Sequence, residues 1–397
     1  MTSLDPRLED LYNPALSGAA PALIRSFTNK IKDIPGIILL TLGEPDFNTP
    51  QHVKEAGIQS ISQNESHYSP AFGTLTFRQA VAGYLERTRG LVYNPNQEII
   101  ATTGATEALT AAALALLGPG VRVLIPTPAY PLYGSIAHLA GADVREVSTR
   151  PHDFKLTAQA LEAEVLACHR QGKPLRAVFF NNPTNPTGVA YSKQEVEDLA
   201  RVVTHYGLLV ISDEVYSDLT YNQEYCSLAS CAPSATIVVT SLSKSYAMTG
   251  WRIGFVAGPG KVMERIGKIH SLLVTSASNV AQAAAVEALN QGREDPPAFC
   301  SRFRERRDYF RKSLESCGFQ VVNPSGAFYL FARIPLSYGT DDQTFALDLA
   351  RKGLVGSVPG SCFGSDGRGY VRFSYAAGME QLSQAAERIE QFVNQPV

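Results

Sequence analysis

The segment Ser241–Gly254, SLSKSYAMTGWRIG, holds the residues best suited to covalent chemistry. Lys244 follows the apolar run that ends at Thr240, and it has no acidic residue within five positions. A lysine that is desolvated or flanked by cations loses its proton readily and can attack a carbonyl carbon. Arg252 is a permanent cation suited to a phosphate or a carboxylate. Lysine and arginine at this spacing also occur in ordinary loops, so it is the whole string that favours a reactive site.

Two other segments carry groups that could hold a charged ligand. Gly104, Ala105 and Thr106 lie between a predicted strand and a helix predicted to begin near Thr106. Free N–H groups at the start of a helix bind anions, although most such turns only cap the helix. Asp213 closes the apolar run Leu208–Ile211. Its carboxylate could cap the next turn, or it could keep a ligand nitrogen protonated.

Three more residues have two interpretations each. Arg372 in GYVRFSYA is a charge on an otherwise apolar segment, so it needs a partner. That partner is either an acid in a structural salt bridge or the carboxylate of a ligand. Tyr130 in PTPAYPLYG provides either packing or a flat surface for stacking. Asn185 lies in NNPTNPTG, a proline-rich turn that also offers amide groups.

Short apolar runs alternate with longer amphipathic stretches through the middle of the chain, which predicts an α/β fold around a mostly parallel sheet. The predicted helices include Thr106–Leu117, Thr157–Arg170 and Lys193–His205. The predicted strands are Glu98–Ala101, Arg122–Ile125, Asp143–Val147, Ala177–Asn181, Leu208–Ser212, Thr236–Thr240 and Arg252–Ala257. Ligands of open α/β sheets bind at the carboxyl ends of the strands. The segments GATEA, NNPTNPTG, DEVY and SLSKSYAMTGWRIG follow four of these strands, so we expect them to meet in one crevice.

The pattern changes after Gln291 to a long charged helix, Arg302–Ser316, followed by short strands. We therefore predict a large domain over residues 46–290 and a smaller domain over 291–397. Residues 1–45 are predicted to form an N-terminal arm and part of the small domain.

The composition argues against several classes of protein. The 397 residues are 45% hydrophobic with a net charge of −2, so the chain has no excess of positive charge for binding nucleic acid or an anionic membrane. No apolar run is long enough to span a bilayer, and the first residues do not resemble a signal peptide. The six cysteines lack CxxC spacing and the seven histidines are dispersed. We expect no metal site, no disulfides and a cytoplasmic protein, with the histidines at the surface or in packing.

The Ser241–Gly254 string resembles the cofactor-lysine motif of class I/II aminotransferases, the fold-type-I enzymes that use pyridoxal 5'-phosphate (PLP). The resemblance extends from LTLGEPDFNTP (Leu40–Pro50) to GYVRFSYA (Gly369–Ala376). It implies a large domain with a mostly parallel sheet flanked by helices, plus a smaller α/β domain. It also implies that Lys244 holds PLP as a Schiff base and shuttles a proton.

The resemblance implies roles for the remaining site residues. Asp213 protonates the pyridine nitrogen, Tyr216 and Asn185 bond the phenolic oxygen of PLP, and Tyr130 stacks on the ring. Arg372, Asn185 and the N–H of Gly43 bind the substrate α-carboxylate. Tyr68 in HYSPAFG reaches the phosphate of a neighbouring subunit, which implies a homodimer with shared sites. The phosphate of PLP is held by Gly104, Ala105, Thr106, Ser241, Ser243 and Arg252.

The motifs LxLGEPDFxTP, HYSPAFG and TTGATEAL resemble those of the bacterial aromatic and N-acetyl-diaminopimelate aminotransferases. No second cation for a dicarboxylate stands out, except Arg25 on the segment Ala20–Ile31, which also fits a surface helix. We predict a pocket rimmed by Leu16 and Tyr133 that favours aromatic donors, with 2-oxoglutarate as an acceptor and ping-pong kinetics. The alternatives are an N-acetyl-LL-diaminopimelate or aspartate aminotransferase, and a PLP-dependent β-lyase of cysteine-type substrates. A transcription regulator and a binding protein with a dead site are disfavoured, because no DNA-binding segment is evident and every key position is filled.

Overall fold

The structure is a computed structural model that describes residues 4–8, 11, 23–221 and 223–394. Strands and helices alternate through the first two thirds of this part of the chain, as predicted. The strands are β1 (Ile38–Leu39), β2 (Ile99–Thr102), β3 (Arg122–Thr127), β4 (Asp143–Ser148), β5 (Leu175–Asn181), β6 (Leu209–Asp213), β7 (Thr236–Ser241), β8 (Gly254–Ala257), β9 (Gln320–Val321), β10 (Tyr329–Arg333), β11 (Val355–Gly356), β12 (Val358–Pro359) and β13 (Tyr370–Ser374).

The α-helices cover both faces of the large sheet and one side of the smaller one. They are α1 (Leu23–Ile31), α2 (Gln51–Ser62), α3 (Leu75–Arg89), α4 (Gly104–Leu116), α5 (Leu132–Leu139), α6 (Ala158–Arg170), α7 (Lys193–Tyr206), α8 (Leu242–Ser245), α9 (Gly260–Val274), α10 (Asn279–Asn290), α11 (Asp295–Ser316), α12 (Asp342–Lys352) and α13 (Met379–Val393). Local sequence sets several of their ends. Ser192 and Glu195 form a capping box at the start of α7, and Gly207 ends that helix in a left-handed conformation. Among the described helices, none is both long and apolar enough to cross a bilayer.

The large sheet has seven strands in the order β2-β8-β7-β6-β5-β3-β4. Its neighbours pair in parallel except at β8, which runs antiparallel to both β2 and β7. Runs such as Ile99–Thr102 and Thr236–Ser241 are buried along their whole length, which explains their lack of polar alternation. The mostly parallel α/β sheet predicted from the sequence is therefore confirmed.

The reversal of β8 places its beginning at the edge where its two neighbours end. Gly254 pairs with Thr102 of β2 and with Ser241 of β7. The residues just before β8 therefore lie beside those that follow β2 and β7. This arrangement brings three segments that are far apart in sequence to one point of the crevice.

A second sheet of four strands has the order β12-β13-β10-β9 and packs against α11, α12 and α13. Its core is rich in aromatic residues, including Phe303, Phe310 and Phe373. β1 pairs in parallel with β11, far along the chain. We keep the predicted division into residues 1–45, 46–290 and 291–397 as a proposal, which is supported by the end of α10 at Asn290 and by this pairing.

Candidate active site

Lys244 lies in α8, a single helical turn that directly follows β7. Its Nζ donates a hydrogen bond to the carbonyl oxygen of Gly43, and it lies 5.9 Å from the centroid of the Phe328 ring. Burial lowers the pKa of Lys244 to about 8, since desolvation disfavours the charged form. A lysine with this pKa has a substantial neutral fraction near neutral pH, as a nucleophile requires.

A small concave surface at the start of α4 is built from residues with little or no side chain. A Cβ on Gly104 would lie 2.5 Å from Arg252 Nη2, so the guanidinium rests directly against that glycine. A Cβ on Gly254 would lie 3.1 Å from the N of Ala105 and 3.0 Å from the Cβ of Ser241. The first turn of α4 has no side-chain cap. Helix N–H groups, a serine and a guanidinium thus lie close together, a combination that suits an anion.

Two boundaries at this surface differ from those predicted. α4 begins at Gly104, two residues before Thr106, because Gly104 has a φ of +77° that lets the chain turn directly from β2 into the helix. β8 begins at Gly254, and Arg252 precedes it with a φ of +55°. That left-handed conformation turns Arg252 toward Gly104. Ser243, the other predicted phosphate ligand, is buried in α8.

Asp213 is a buried carboxylate at the end of β6. Tyr133 Oη donates to its Oδ2 at 2.6 Å, and the N–H of Val215 donates to its Oδ1 at 3.3 Å. Burial raises the pKa of Asp213 to about 6, while these two hydrogen bonds act in the opposite direction. In the described part of the chain, Asp213 forms no ion pair within 4.0 Å. A protonated ligand nitrogen would therefore satisfy it.

Tyr133 does not rim a substrate pocket, so that prediction is wrong. Its side chain is buried, stacks on Phe179 at 5.2 Å and holds Asp213 through its hydroxyl. The sequence signal was the spacing of three between Tyr130, just before α5, and Tyr133 in its first turn, which brings the two aromatic rings together. Their centroids lie 5.8 Å apart in an edge-to-face arrangement. Leu16, the other predicted rim residue, lies outside the described residues.

Arg372 is 2% exposed, yet it has no acidic partner among the described residues. Nη1 donates to Asn185 Oδ1 at 2.8 Å, Nη2 donates to the carbonyl oxygen of Thr41 at 2.9 Å, and Nε lacks a partner. The guanidinium lies 4.2 Å from the centroid of the Tyr329 ring. A buried guanidinium without a carboxylate is costly, so the structural salt bridge fails as an explanation. A ligand carboxylate would complete this site.

Tyr216 and Tyr329 share a hydrogen bond of 2.7 Å between their hydroxyl oxygens, and both rings are buried. A Cβ on Gly43 would lie 2.5 Å from Tyr329 Oη, so only glycine fits there. Tyr329 was not identified from the sequence. The aromatic run of β10, which pairs with the strand of Arg372, is the signal that could have identified it. Tyr216, Gly43 and Arg372 therefore all lie next to Tyr329, a residue of the small sheet.

The remaining predicted residues lie at different distances from this centre. Tyr130 is half-buried, and its pKa is raised by burial and further by the nearby Tyr329 and Asp213, while Arg25 and Arg372 lower it. Arg25 is exposed on α1, but its charge thus reaches the aromatic wall of the site. Tyr68 is 88% exposed within the single chain.

Two histidines pack against acidic side chains, which agrees with the prediction of surface or packing positions. His270 is fully buried, with Nδ1 3.1 Å from Glu107 and Nε2 2.8 Å from the carbonyl oxygen of Ala71. His52 lies 3.0 Å from both Glu287 and Asp295. These acids lie far away in sequence, so spacing alone could not pair them. Among the described residues, no group of three or more His, Cys, Asp or Glu is arranged to hold a metal.

The residues present fit PLP. The guanidinium of Arg252 against Gly104 suits a phosphate, a lysine of lowered pKa suits an aldehyde, and an unpaired buried carboxylate at Asp213 suits a protonated ring nitrogen. The charges of Glu44, Arg252, Arg372 and Asp213 all act on the pKa of Lys244.

Comparisons with known proteins agree with this geometry. The family model "Aminotransferase class I and II" matches residues 35–389. A Bacillus subtilis protein described as "Probable N-acetyl-LL-diaminopimelate aminotransferase" is 40% identical over 97% of this chain and 96% of its own. An aromatic aminotransferase from Pyrococcus horikoshii OT3 superposes with a TM-score of 0.85 and 37% identity, covering 92% of this chain and 98% of that one. An aspartate aminotransferase from Thermus thermophilus, solved with maleate, gives a TM-score of 0.89 and 33% identity, covering 96% and 99%. The chain therefore belongs to the class I and II aminotransferases and is a PLP-dependent enzyme of fold type I.

Proposed function

We propose that this aminotransferase moves the amino group of an L-amino acid, with aromatic donors favoured, to a 2-oxo acid such as 2-oxoglutarate. One observation carries the proposal: Arg372 is a buried guanidinium without an acidic partner among the described residues, and its charge acts on the half-buried Lys244. An α-carboxylate bound at Arg372 would place the adjacent amino group and Cα–H bond near Lys244. Two half-reactions through this one site give ping-pong kinetics.

In this proposal Lys244 would hold PLP covalently, and the bound cofactor would supply a sink for the electrons released when the substrate Cα loses its proton. Asp213 would keep the ring nitrogen of the cofactor protonated. Tyr216 and Asn185 donate hydrogen bonds toward the phenolic oxygen, and Tyr130 packs against the ring. The phosphate is held by Gly104, Ala105, Thr106, Ser241, Ser243 and Arg252, and by Tyr68 of a second subunit.

The chain's own groups fix the substrate before any bond breaks. Arg372 and the N–H of Gly43 bind the α-carboxylate, and Asn185 holds the guanidinium through the hydrogen bond at Nη1. This anchoring sets the direction of the Cα–H bond. Holding the reacting groups in the correct orientation increases the rate of the reaction. Burial lowers the pKa of Lys244 to about 8, which increases the neutral fraction of its amine, and this neutral form would accept the proton from Cα.

The preference for aromatic donors follows from the charges around the site. Arg265, Lys268 and Arg293 are exposed on or beside helices and offer no cation to a distal carboxylate. Arg25 is the exception, since its charge reaches Tyr130. An exposed arginine is a weak discriminator, whereas the half-buried ring of Tyr130 suits a flat apolar side chain.

The competing substrates have specific support as well. Similarity to the Bacillus subtilis protein supports N-acetyl-LL-diaminopimelate as the substrate. Similarity to the Thermus thermophilus structure with maleate supports a dicarboxylate such as aspartate. The Pyrococcus horikoshii structure supports the aromatic donor. β-Elimination on a cysteine-type substrate uses the same cofactor chemistry, because the fold and cofactor do not determine the reaction type.

Measured kcat/KM values for a panel of amino donors with 2-oxoglutarate and pyruvate test the proposal. We expect phenylalanine and tyrosine to exceed aspartate, and we expect the aminated cofactor after one half-reaction without release of ammonia. Arg25→Gln is the matched variant, which should lower the value for aspartate and leave that for phenylalanine within twofold. A preference for aspartate or for N-acetyl-LL-diaminopimelate would overturn the aromatic assignment.

A further inference from the structure

A second cavity lies apart from the catalytic crevice, between the end of α3, the end of α10 and the first turns of α11. Its volume is about 520 Å³. Three arginines line it, Arg87, Arg293 and Arg304, and all three are exposed at its rim. Its deeper wall includes Asp218 and the buried Tyr246.

Two of the rim arginines, Arg87 and Arg293, donate hydrogen bonds to backbone oxygens. Arg87 Nη2 donates to the carbonyl oxygen of Leu289 at 2.7 Å, and Arg293 Nε donates to that of Asn290 at 3.3 Å. None of the three forms a salt bridge within 4.0 Å in the described ranges. Their other N–H groups remain available to an anion, and a guanidinium binds a carboxylate with two parallel hydrogen bonds.

The deep end of the cavity has the opposite charge. Asp218 is partly buried, and both of its carboxylate oxygens lie within 2.8 Å of Tyr84 Oη. It too has no ion pair in the part of the chain that the structure describes. Because a carboxylate has about four acceptor positions and a phenol supplies one proton, acceptor positions remain open for an ammonium group. Leu289 and Pro297 are apolar residues of the same lining.

We propose that this cavity binds a free L-α-amino acid with a large apolar side chain. The ligand carboxylate lies on the rim arginines, its ammonium group on Asp218, and its side chain against Leu289, Pro297 and Tyr246. A simple anion would meet the repulsion of Asp218, and a simple amine would meet that of the arginines. The volume of about 520 Å³ is within the range for small-molecule sites.

The deep end of the cavity also connects to the catalytic segment. Arg89 Nη2 donates to Tyr84 Oη at 3.2 Å and to Ser217 Oγ, and Ser217 follows Tyr216. Tyr246 follows Lys244 by two residues. A ligand at Asp218 would therefore be linked to Ser217, next to Tyr216, by three successive hydrogen bonds through Tyr84 and Arg89.

Calorimetry with L-phenylalanine on the PLP-loaded Arg372→Ala enzyme tests the proposal, since this host lacks the carboxylate anchor of the catalytic site. We expect binding at one site per chain, weakened at least tenfold by Asp218→Asn or by Arg304→Gln added to the host. 3-Phenylpropionate and phenethylamine, which each lack one charged group, should bind at least tenfold more weakly than L-phenylalanine.

Arg302→Gln in the same host is the matched control. Arg302 is an exposed arginine of α11 that lies outside the cavity and packs over Phe47. It should leave the affinity unchanged. Absence of L-phenylalanine binding to the host, or equal affinity in the cavity variants and the host, would overturn the proposal. Binding of 3-phenylpropionate as tight as that of L-phenylalanine would overturn the amino-acid assignment.

Discussion

Burial sets the protonation of the two residues on which the chemistry depends. It lowers the pKa of Lys244 to about 8 and raises that of Asp213 to about 6. Both shifts disfavour the charged form, as expected for desolvated groups of opposite sign. For Lys244 the shift produces a nucleophile, whereas for Asp213 it leaves a carboxylate that benefits from a cationic partner.

The shift at Lys244 predicts how the protein without cofactor captures PLP. Only the neutral amine attacks an aldehyde, so the rate should rise as pH increases through about 8 and then level off. Stopped-flow absorbance of PLP mixed with the apo-protein at different pH values measures this. N-acetyl-lysine amide under the same conditions corrects for ionisation of PLP itself. A corrected rate that still rises up to the ordinary lysine value of 10.5 would contradict the shifted pKa.

Tyr133→Phe tests the support of Asp213. Loss of the 2.6 Å hydrogen bond removes an influence that lowers the pKa of Asp213, so that pKa should rise further. We expect kcat to fall about tenfold, equivalent to about 1.4 kcal/mol, with little change in KM. The acid limb of the pH profile should move to higher pH. Tyr130→Phe is the control, because it keeps the aromatic ring and should leave the acid limb of the pH profile in place. If the acid limb does not move in Tyr133→Phe either, Tyr133 does not support Asp213 as assigned.

At the scale of elements, the start of α4 shows how backbone geometry makes an anion site. Gly104 has a positive φ and lies against Arg252, so it needs both a left-handed backbone and the absence of a side chain. The reversed strand β8 supplies Arg252 from the opposite direction. The site thus depends on a turn and a strand reversal together.

Gly104→Ala should weaken PLP binding at least tenfold, because its Cβ would lie 2.5 Å from Arg252 Nη2. It should also cost about 1–2 kcal/mol of stability from the left-handed backbone. Gly36→Ala is the matched control, since Gly36 has a φ of +76° but open space around its Cβ position. Equilibrium dialysis of PLP and chemical denaturation separate the two effects. The cofactor argument fails if both variants bind PLP as tightly as the wild type.

Much of the large sheet was predictable because its strands are buried, unalternating runs that end in polar clusters. β3, β5, β6 and β7 lie within two residues of the predicted limits. The contacts of the small sheet were not predictable, since they join distant positions: Tyr216 meets Tyr329 113 residues later, and Asn185 meets Arg372 187 residues later. No local pattern encodes such pairs, which depend on how two sheets pack.

At the scale of the whole molecule, the exposed Tyr68 fits an active site shared between subunits. Its aromatic ring is 88% exposed, although an aromatic ring gains by burial. The backbone around it is fixed, because Asn279 Nδ2 donates to the carbonyl oxygens of Glu65 and His67. We propose a homodimer in which this rigid loop carries Tyr68 into the partner's site.

Complementation between two impaired variants tests the shared site. Mixing Lys244→Ala with Tyr68→Ala chains should create one site per heterodimer that has both residues, so activity should rise above that of either variant alone. Sedimentation and subunit exchange of tagged chains verify the dimer. No gain in activity despite proven exchange would show that each chain supplies its own complete site.

Reduction of the purified enzyme with borohydride tests the central claim most directly. The protein with bound PLP should be yellow, and reduction should fix the cofactor as a pyridoxyl group on one lysine. Peptide mapping by mass spectrometry should place that group on Lys244, while Lys244→Ala should carry none at stoichiometric level. A pyridoxyl group on any other lysine, such as the exposed Lys261 at the start of α9, would contradict the assignment.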